Sequence, residues 1–175
     1  IPDTHFTAQP GMFSVDHIDP GSAWLAANLP ENLRGNVADL GAGWGFLSDA
    51  VLRRCPKVGR IDLFESDARA LDCARVNLAG HPQEIHFHWH DVCAGLPGHY
   101  DAIVMNPPFH TGQATDVDLG RAFLKSAAAA LKPGGKLWLV ANRQLAYEAA
   151  LEASGLAWHN AGNNPTYKLL FAQRR

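Results

Sequence analysis

The sequence predicts an α/β fold: one open, mostly parallel sheet with helices on both faces. Short apolar runs alternate with amphipathic helical runs along most of the chain, and strands separated by helices run parallel. A glycine-rich turn, DLGAGWG (39–45), joins the first strand to its helix. The last two strands, 156–161 and 166–173, flank the hairpin signal GNNP with no helix between them, so one of the two runs antiparallel.

The elements follow in order. Residues 1–35 are a lead-in that mixes turn-like patches with one helical segment, Gly21–Leu29. NVADLG (36–41) reads as a buried strand, and WGFLSDAVLRR (44–54) as a helix with apolar residues at 46, 47, 50, 51 and 52. RIDLFE (60–65) is a strand. DARALDCARVNLAG (67–80) is a helix with Asp67 as its N-cap and Gly80 as its stop. EIHFHW (84–89) and YDAIVM (100–105) are strands. VDLGRAFLKSAAAALKPGG (117–135) is a helix closed by a Pro-Gly-Gly turn, KLWLVA (136–141) a strand, and RQLAYEAALEAS (143–154) a helix ending at Gly155.

With 175 residues, 47% of them hydrophobic and 18% charged, the chain has ordinary globular composition and length for one domain, 1–175. No window approaches the roughly 18 uninterrupted apolar residues of a membrane span. The opening IPDTHFTAQPG lacks the basic and apolar regions of a signal peptide, and it lacks an initiator Met, so the chain is expected to be part of a longer protein. Cys55, Cys73 and Cys93 are odd in number and form no C-x-x-C pair, which suggests a reducing cytoplasm rather than disulfides or zinc. A net charge of −2 is not that of a stand-alone nucleic-acid binder.

The glycine turn is placed to bring a ligand against the backbone. Gly41, Gly43 and Gly45 carry no Cβ and lead into the electropositive start of a helix. The spacing is G-x-G-x-G with Phe46 next, which departs from the G-x-G-x-x-G dinucleotide fingerprint and disfavours a nicotinamide dehydrogenase. Glu65 ends the second strand, where a carboxylate accepts both hydroxyls of an adenosine ribose. Asp67 beside it reads as a helix cap. In HWHDV, Asp91 either accepts from an adenine amino group, with the Val92 amide meeting a ring nitrogen, or caps a turn. His86, His88 and His90 share one strand face. No carboxylate or cysteine pattern in the sequence completes a metal site there, and none is expected.

The fourth strand ends in NPPF (106–109). Asn106 and Pro107 each precede a proline and are held extended, and neither Pro107 nor Pro108 has an N–H to offer a ladder. That leaves the Pro107 carbonyl and the Asn106 side chain to accept from one planar –NH2 group, with Phe109 as a flat face for stacking. Acceptors on both amine hydrogens draw the lone pair out of conjugation and aim it at an electrophile such as a methyl sulfonium.

DLGAGWG, Glu65, HDV and NPPF, in this order, resemble the class I S-adenosylmethionine-dependent methyltransferases that act on amino groups. The set is more similar still to the ribosomal RNA guanine-N2 methyltransferases of the methyltransferase small domain type. That likeness runs from GMFSVDHIDPGSAWL (11–25) through LKPGGKLWLVANRQLAY to NPTYKLLFA. The resemblance implies a Rossmann-like seven-stranded sheet of order 3-2-1-4-5-7-6 with a C-terminal antiparallel hairpin. It implies that Asp39, Gly41, Gly43, Glu65, Asp91 and Val92 bind S-adenosylmethionine, with Gly21 and Ser22 near its methionine end. It also implies that Asn106, Pro107, Pro108 and Phe109 hold the target guanine, Asn106, Pro107 and Phe109 being catalytic. Small-subunit ribosomal RNA or the ribosomal subunit is the implied partner, and a degenerate N-terminal copy of the domain is expected upstream. Adenine N6, a protein glutamine amide and a non-catalytic cofactor- or RNA-binding role are the alternatives the motif leaves open. Trp44, bulky where relatives carry a smaller or polar residue, either narrows the methionine pocket or covers the helix start.

Overall fold

The structure, a computed structural model, describes residues 1–2, 4–108 and 114–175. Its elements are α1 (Pro20–Asn28), β1 (Arg34–Leu40), α2 (Phe46–Arg54), β2 (Lys57–Glu65), α3 (Ala68–Asn77), β3 (Glu84–Trp89), a 3₁₀ turn (Val92–Ala94), β4 (Tyr100–Met105), α4 (Ala114–Ala130), β5 (Leu131–Asn142), α5 (Glu148–Ala153), β6 (Ala157–Asn163) and β7 (Tyr167–Gln173). All seven strands form one sheet in the order β3-β2-β1-β4-β5-β7-β6. Strands β1 to β5 pair in parallel, and β7 runs antiparallel to both β5 and β6. This is the fold and strand order that the resemblance implied.

Alternation along the strands sends side chains to two cores. Val37, Ile61, Leu63, Val104, Val140 and Leu169 pack under α1, α2 and α3, against Leu25, Leu29, Val51, Leu71 and Leu78. Leu40, Phe64, Ile103, Met105, Leu139 and Leu170 face the other way, against Phe123, Leu124 and Ala127 of α4, Leu151 of α5, and Tyr147. Between β3 and β4 the crossover carries only the 3₁₀ turn, so among the described residues no α-helix from that connection covers the outer strip of β2 and β3 on that second face.

Helix 143–154 is shorter than its periodicity suggests. Arg143 N–H still donates across the sheet to the Thr166 carbonyl (3.0 Å). The Asn142 carbonyl then accepts from Leu145 N–H at 3.0 Å and its side chain from Gln144 N–H at 3.2 Å. These bonds hold a turn until Glu148. Gly80 is not the stop of α3: the helix ends at Asn77, with Leu78 as its C-cap.

Topology places the site. From β1 the chain winds outward to β2 and β3, then crosses to β4 on the other side of β1. The loops leaving β1 and β4, paired in register from Val37↔Ala102 to Leu40↔Met105, therefore open into one crevice at the carboxyl ends of the strands.

Candidate functional site

The glycine turn is held from below. Gly41 and Ala42 N–H groups donate to the Phe64 carbonyl (2.9 and 3.1 Å), fastening the loop to the end of β2. Gly41, Gly43 and Gly45 have φ of +70°, +54° and +93°, a region L side chains rarely adopt. Their surroundings differ. A Cβ on Gly45 would meet Ala74 and Leu78 at 3.3 Å, so that glycine lets α2 approach α3, whereas a Cβ on Gly43 would meet nothing within 4 Å. Gly43 is the glycine that keeps the crevice open.

Glu65 is tied to the same loop. Its Oε2 accepts from Gly43 N–H (2.9 Å), and its Oε1 from Asp67 N–H (2.9 Å) and the Ser66 hydroxyl (3.3 Å), which leaves a lone pair on Oε2. Asp67 caps α3 through Arg69 N–H, as expected. Asp91 uses one oxygen to cap the 3₁₀ turn through Cys93 N–H (2.8 Å), and Val92 is buried in the second core. Beneath the turn, Asp39 is fully buried. Its Oδ2 accepts from the Ser48 hydroxyl (2.7 Å), and its Oδ1 has no hydrogen-bond partner among the described residues. Burial, opposed by the Ser48 hydrogen bond and reinforced by the Glu65 charge, pushes its carboxyl up to about 7.

At the end of β4, Asn106 is half-buried and its Nδ2 donates to Asp19 Oδ2 and to Ser22 Oγ, both at 2.8 Å. A carboxylate only accepts, so the side of the amide turned to Asp19 must be the NH2, and Oδ1 is turned the opposite way as an acceptor. Asp19 is held by the same oxygen, which also caps α1 through Ser22 N–H (2.7 Å). Gly21 stands behind this pair: a Cβ there would lie 3.1 Å from both Asp19 Oδ2 and the Tyr167 ring. Pro107 is buried and Pro108 exposed. Phe109 lies outside the described residues.

A cavity of about 60 Å³ joins these parts, walled by the glycine turn, Asn106, Asp19, Ser22, Phe13 and Trp44. Two larger clefts lie away from it. One is at the amino ends of β1, β2, β4 and β5, the other between α4, α5 and the C-terminus. Neither gathers any of the motif residues, and the small cavity is the one where the chemistry converges.

Asp19 and Phe13 were not singled out in the sequence. Asp19 left a signal: Asp-Pro before a helical run is an N-cap followed by proline at the first helical position. The Trp44 question is answered by packing. Its indole lies against Phe6 and Phe46 at 4.9 and 5.9 Å, and its Nε1 donates to the Phe13 carbonyl at 3.3 Å. It clamps the lead-in over the start of α2 and walls the cavity at the same time. Asn77 completes the clamp: Nδ2 donates to the Thr7 and Trp44 carbonyls, and Oδ1 accepts from Thr7 N–H.

The methyltransferase small domain family model matches residues 3–170. The ribosomal RNA small subunit methyltransferase C of Escherichia coli is 37% identical over 143 residues, which are 82% of this chain and 41% of that protein. The T. thermophilus 16S rRNA N2 G1207 methyltransferase, solved in complex with AdoMet and guanosine, superposes with a TM-score of 0.83 at 36% identity, covering 95% of this chain and 46% of that one. The chain thus spans less than half the length of these relatives. The YcgJ protein of Bacillus subtilis, at 13% identity and a TM-score of 0.68, shares the fold alone.

Proposed function

The chain belongs to the methyltransferase small domain family, and from that premise we propose that it transfers a methyl group from S-adenosylmethionine to the exocyclic N2 amine of a guanine in small-subunit ribosomal RNA, in the cytoplasm. The observation that carries this reading is the Asn106 amide, oriented by Asp19 and Ser22 beside the glycine turn. The T. thermophilus relative solved with AdoMet and guanosine is consistent with it.

The residues present fit the cofactor. Gly43 leaves open space where a side chain would stand, Glu65 offers its remaining lone pair to the ribose hydroxyls, and Asp39 holds a buried, unpartnered oxygen beneath the loop. Asp91 and Val92 sit at the end of β3, on the adenine side, and Ser22 and Gly21 on the methionine side. S-adenosylmethionine, when bound, supplies a methyl group made electrophilic by its sulfonium.

The chain supplies orientation. Asn106 Oδ1 and the Pro107 carbonyl accept the two hydrogens of the amine, which takes its lone pair out of conjugation and directs it along one line. For Phe109, which lies outside the described residues, the proposed role is stacking on the base. Positioning of this kind accounts for many orders of magnitude in rate without a strong base, because the methylated amine is acidic and gives its proton to water. The remainder of the protein, an N-terminal domain upstream, contributes RNA-binding surface that a domain of net charge −2 lacks.

Labelled S-adenosylmethionine with deproteinised ribosomal RNA and with assembled subunits tests the proposal, the modified nucleoside being mapped. N2-methylguanosine in small-subunit RNA is expected. N6-methyladenosine or methylated glutamine would replace the acceptor. Asn106→Ala is expected to abolish transfer while leaving S-adenosylmethionine binding, read by calorimetry, nearly unchanged; surviving activity would remove Asn106 from its role.

A further inference from the structure

The histidine alternation on β3 is the one sequence feature that the methyl-transfer site does not absorb, and β2 supplies the carboxylate that the linear sequence did not reveal. Asp62 pairs in register with His86, and Phe64 with His88. His86 Nδ1 and His88 Nε2 stand 3.5 and 3.3 Å from the same oxygen, Asp62 Oδ1. The three ligand atoms lie within 4.8 Å of one another. His90, the third of the run, is turned away to the Gly95 carbonyl at 2.5 Å.

We propose that Asp62, His86 and His88 form a binding site for a zinc-class divalent ion, with a fourth position open to solvent. Two imidazole nitrogens converging on one carboxylate oxygen is a donor set that zinc accepts. The gaps match as well: bonds of about 2.0–2.1 Å at tetrahedral angles put neighbouring ligand atoms about 3.3 Å apart. The next layer is also in place. Glu84 Oε1 lies 2.6 Å from His86 Nε2, the carboxylate–histidine–metal arrangement that fixes a ring and raises its basicity. The His88 ring stacks on Phe64 with centroids 4.5 Å apart and planes 11° apart, and Asp62, 1% exposed, is further held by the Tyr100 hydroxyl. The site is reachable because the crossover after β3 carries no helix: His86 and His88 are 38% and 30% exposed.

Arg60 occupies the approach. Its guanidinium spans both Asp62 oxygens, Nη2 to Oδ2 at 2.9 Å and to Oδ1 at 3.0 Å, and its side chain is 35% exposed. An entering ion takes Oδ1, which also accepts from Arg60 Nε at 3.1 Å, and leaves Oδ2 to Arg60, so the ion competes with a resident cation and binds more weakly than at a vacant triad. Once bound, it clips the edge strand β3 to β2. Those are the two strands whose carboxyl ends carry Glu65 and Asp91.

The test is titration of the chelator-treated chain with Zn²⁺ against a chromophoric competitor, with Co²⁺ as a spectroscopic probe. One equivalent of Zn²⁺ is expected to bind, Co²⁺ to give the intense visible bands of tetrahedral coordination, and Tm to rise by about 5 °C at a hundredfold excess over Kd. His86→Gln and His88→Gln, both at partly exposed positions, should each weaken binding at least tenfold. Arg60→Gln should tighten it about tenfold by removing the competing charge. Absence of stoichiometric binding by both the wild-type chain and Arg60→Gln, or binding that survives both histidine changes, overturns the proposal. None of these readouts uses methyl transfer, so the metal site and the proposed activity stand or fall separately.

Discussion

Asp19 is a small hinge between folding and chemistry. One carboxylate oxygen accepts from the first turn of α1 and from the Asn106 amide, so the cap of a helix also decides which way an acceptor on another element faces. Asp19→Asn separates the two duties, because Asn caps a helix as well as Asp does while an amide has its own NH2 to place. Thermal stability is expected to stay within about 1 kcal/mol of wild type. The rate constant for methyl transfer is expected to fall about a hundredfold, as for a comparable misplacement of a reacting group, with cofactor affinity unchanged. Calorimetry and single-turnover kinetics on ribosomal RNA measure the two sides. Glu65 and Asn106 could be placed from the sequence because one ends a strand and the other follows one, at the carboxyl edge of the sheet. Asp19 could be read there only as a helix cap, because its bond to Asn106 spans 87 residues and no local pattern announces that bond.

At the level of elements, regular pieces were readable where periodicity was long and their neighbours only confirmed it. The strands and helices up to β4 are of this kind. The segment 143–154 was read as helix throughout, yet its first part is spent on bonds to Asn142 and to the neighbouring strand, which propensity cannot foresee. Tyr147, at the start of α5, is fully buried against α4, and the place it fills is made by Gly120. A Cβ on Gly120 would lie 1.8 Å from the Tyr147 oxygen and 2.4 Å from its Cζ. Helix propensity alone would make Gly120→Ala stabilising by about 1 kcal/mol. Overpacking reverses the sign, and a net loss of about 1–3 kcal/mol is expected, seen as a lower urea midpoint with an unchanged slope.

For the whole molecule, the strand order is the consequence of two crossovers on opposite sides of β1, and it is what brings the glycine turn after β1 and Asn106 after β4 to one crevice. Their order in the chain showed that they belong together; which loops meet is a property of the sheet. Asp39, buried at its centre, links this sheet to solution conditions. Its folded carboxyl titrates near 7, well above the ordinary 3.8. Between those values the folded chain holds a proton that the unfolded chain has lost, so stability is expected to fall as pH rises from about 4 through 7. The loss is up to about 4 kcal/mol. Asp39→Asn, which cannot ionise, should flatten that decline in denaturation curves recorded across the range; an identical decline in the variant would assign it to other groups.

The lead-in has a consequence for heat. The described residues of the segment 1–18 contain no helix or strand and rest on a small satellite cluster of Phe6, Trp44 and Cys73 rather than on either main core. They run directly into Asp19. A segment held by one small cluster and the Asn77 and Trp44 hydrogen bonds is expected to open at a lower temperature than the sheet beneath it. Loosening there frees the Asn106 amide to turn while every strand is still in place. The proposed methyl transfer is therefore expected to be lost on warming before the sheet melts and to return on cooling, with activity and far-UV circular dichroism followed along one temperature ramp to check it.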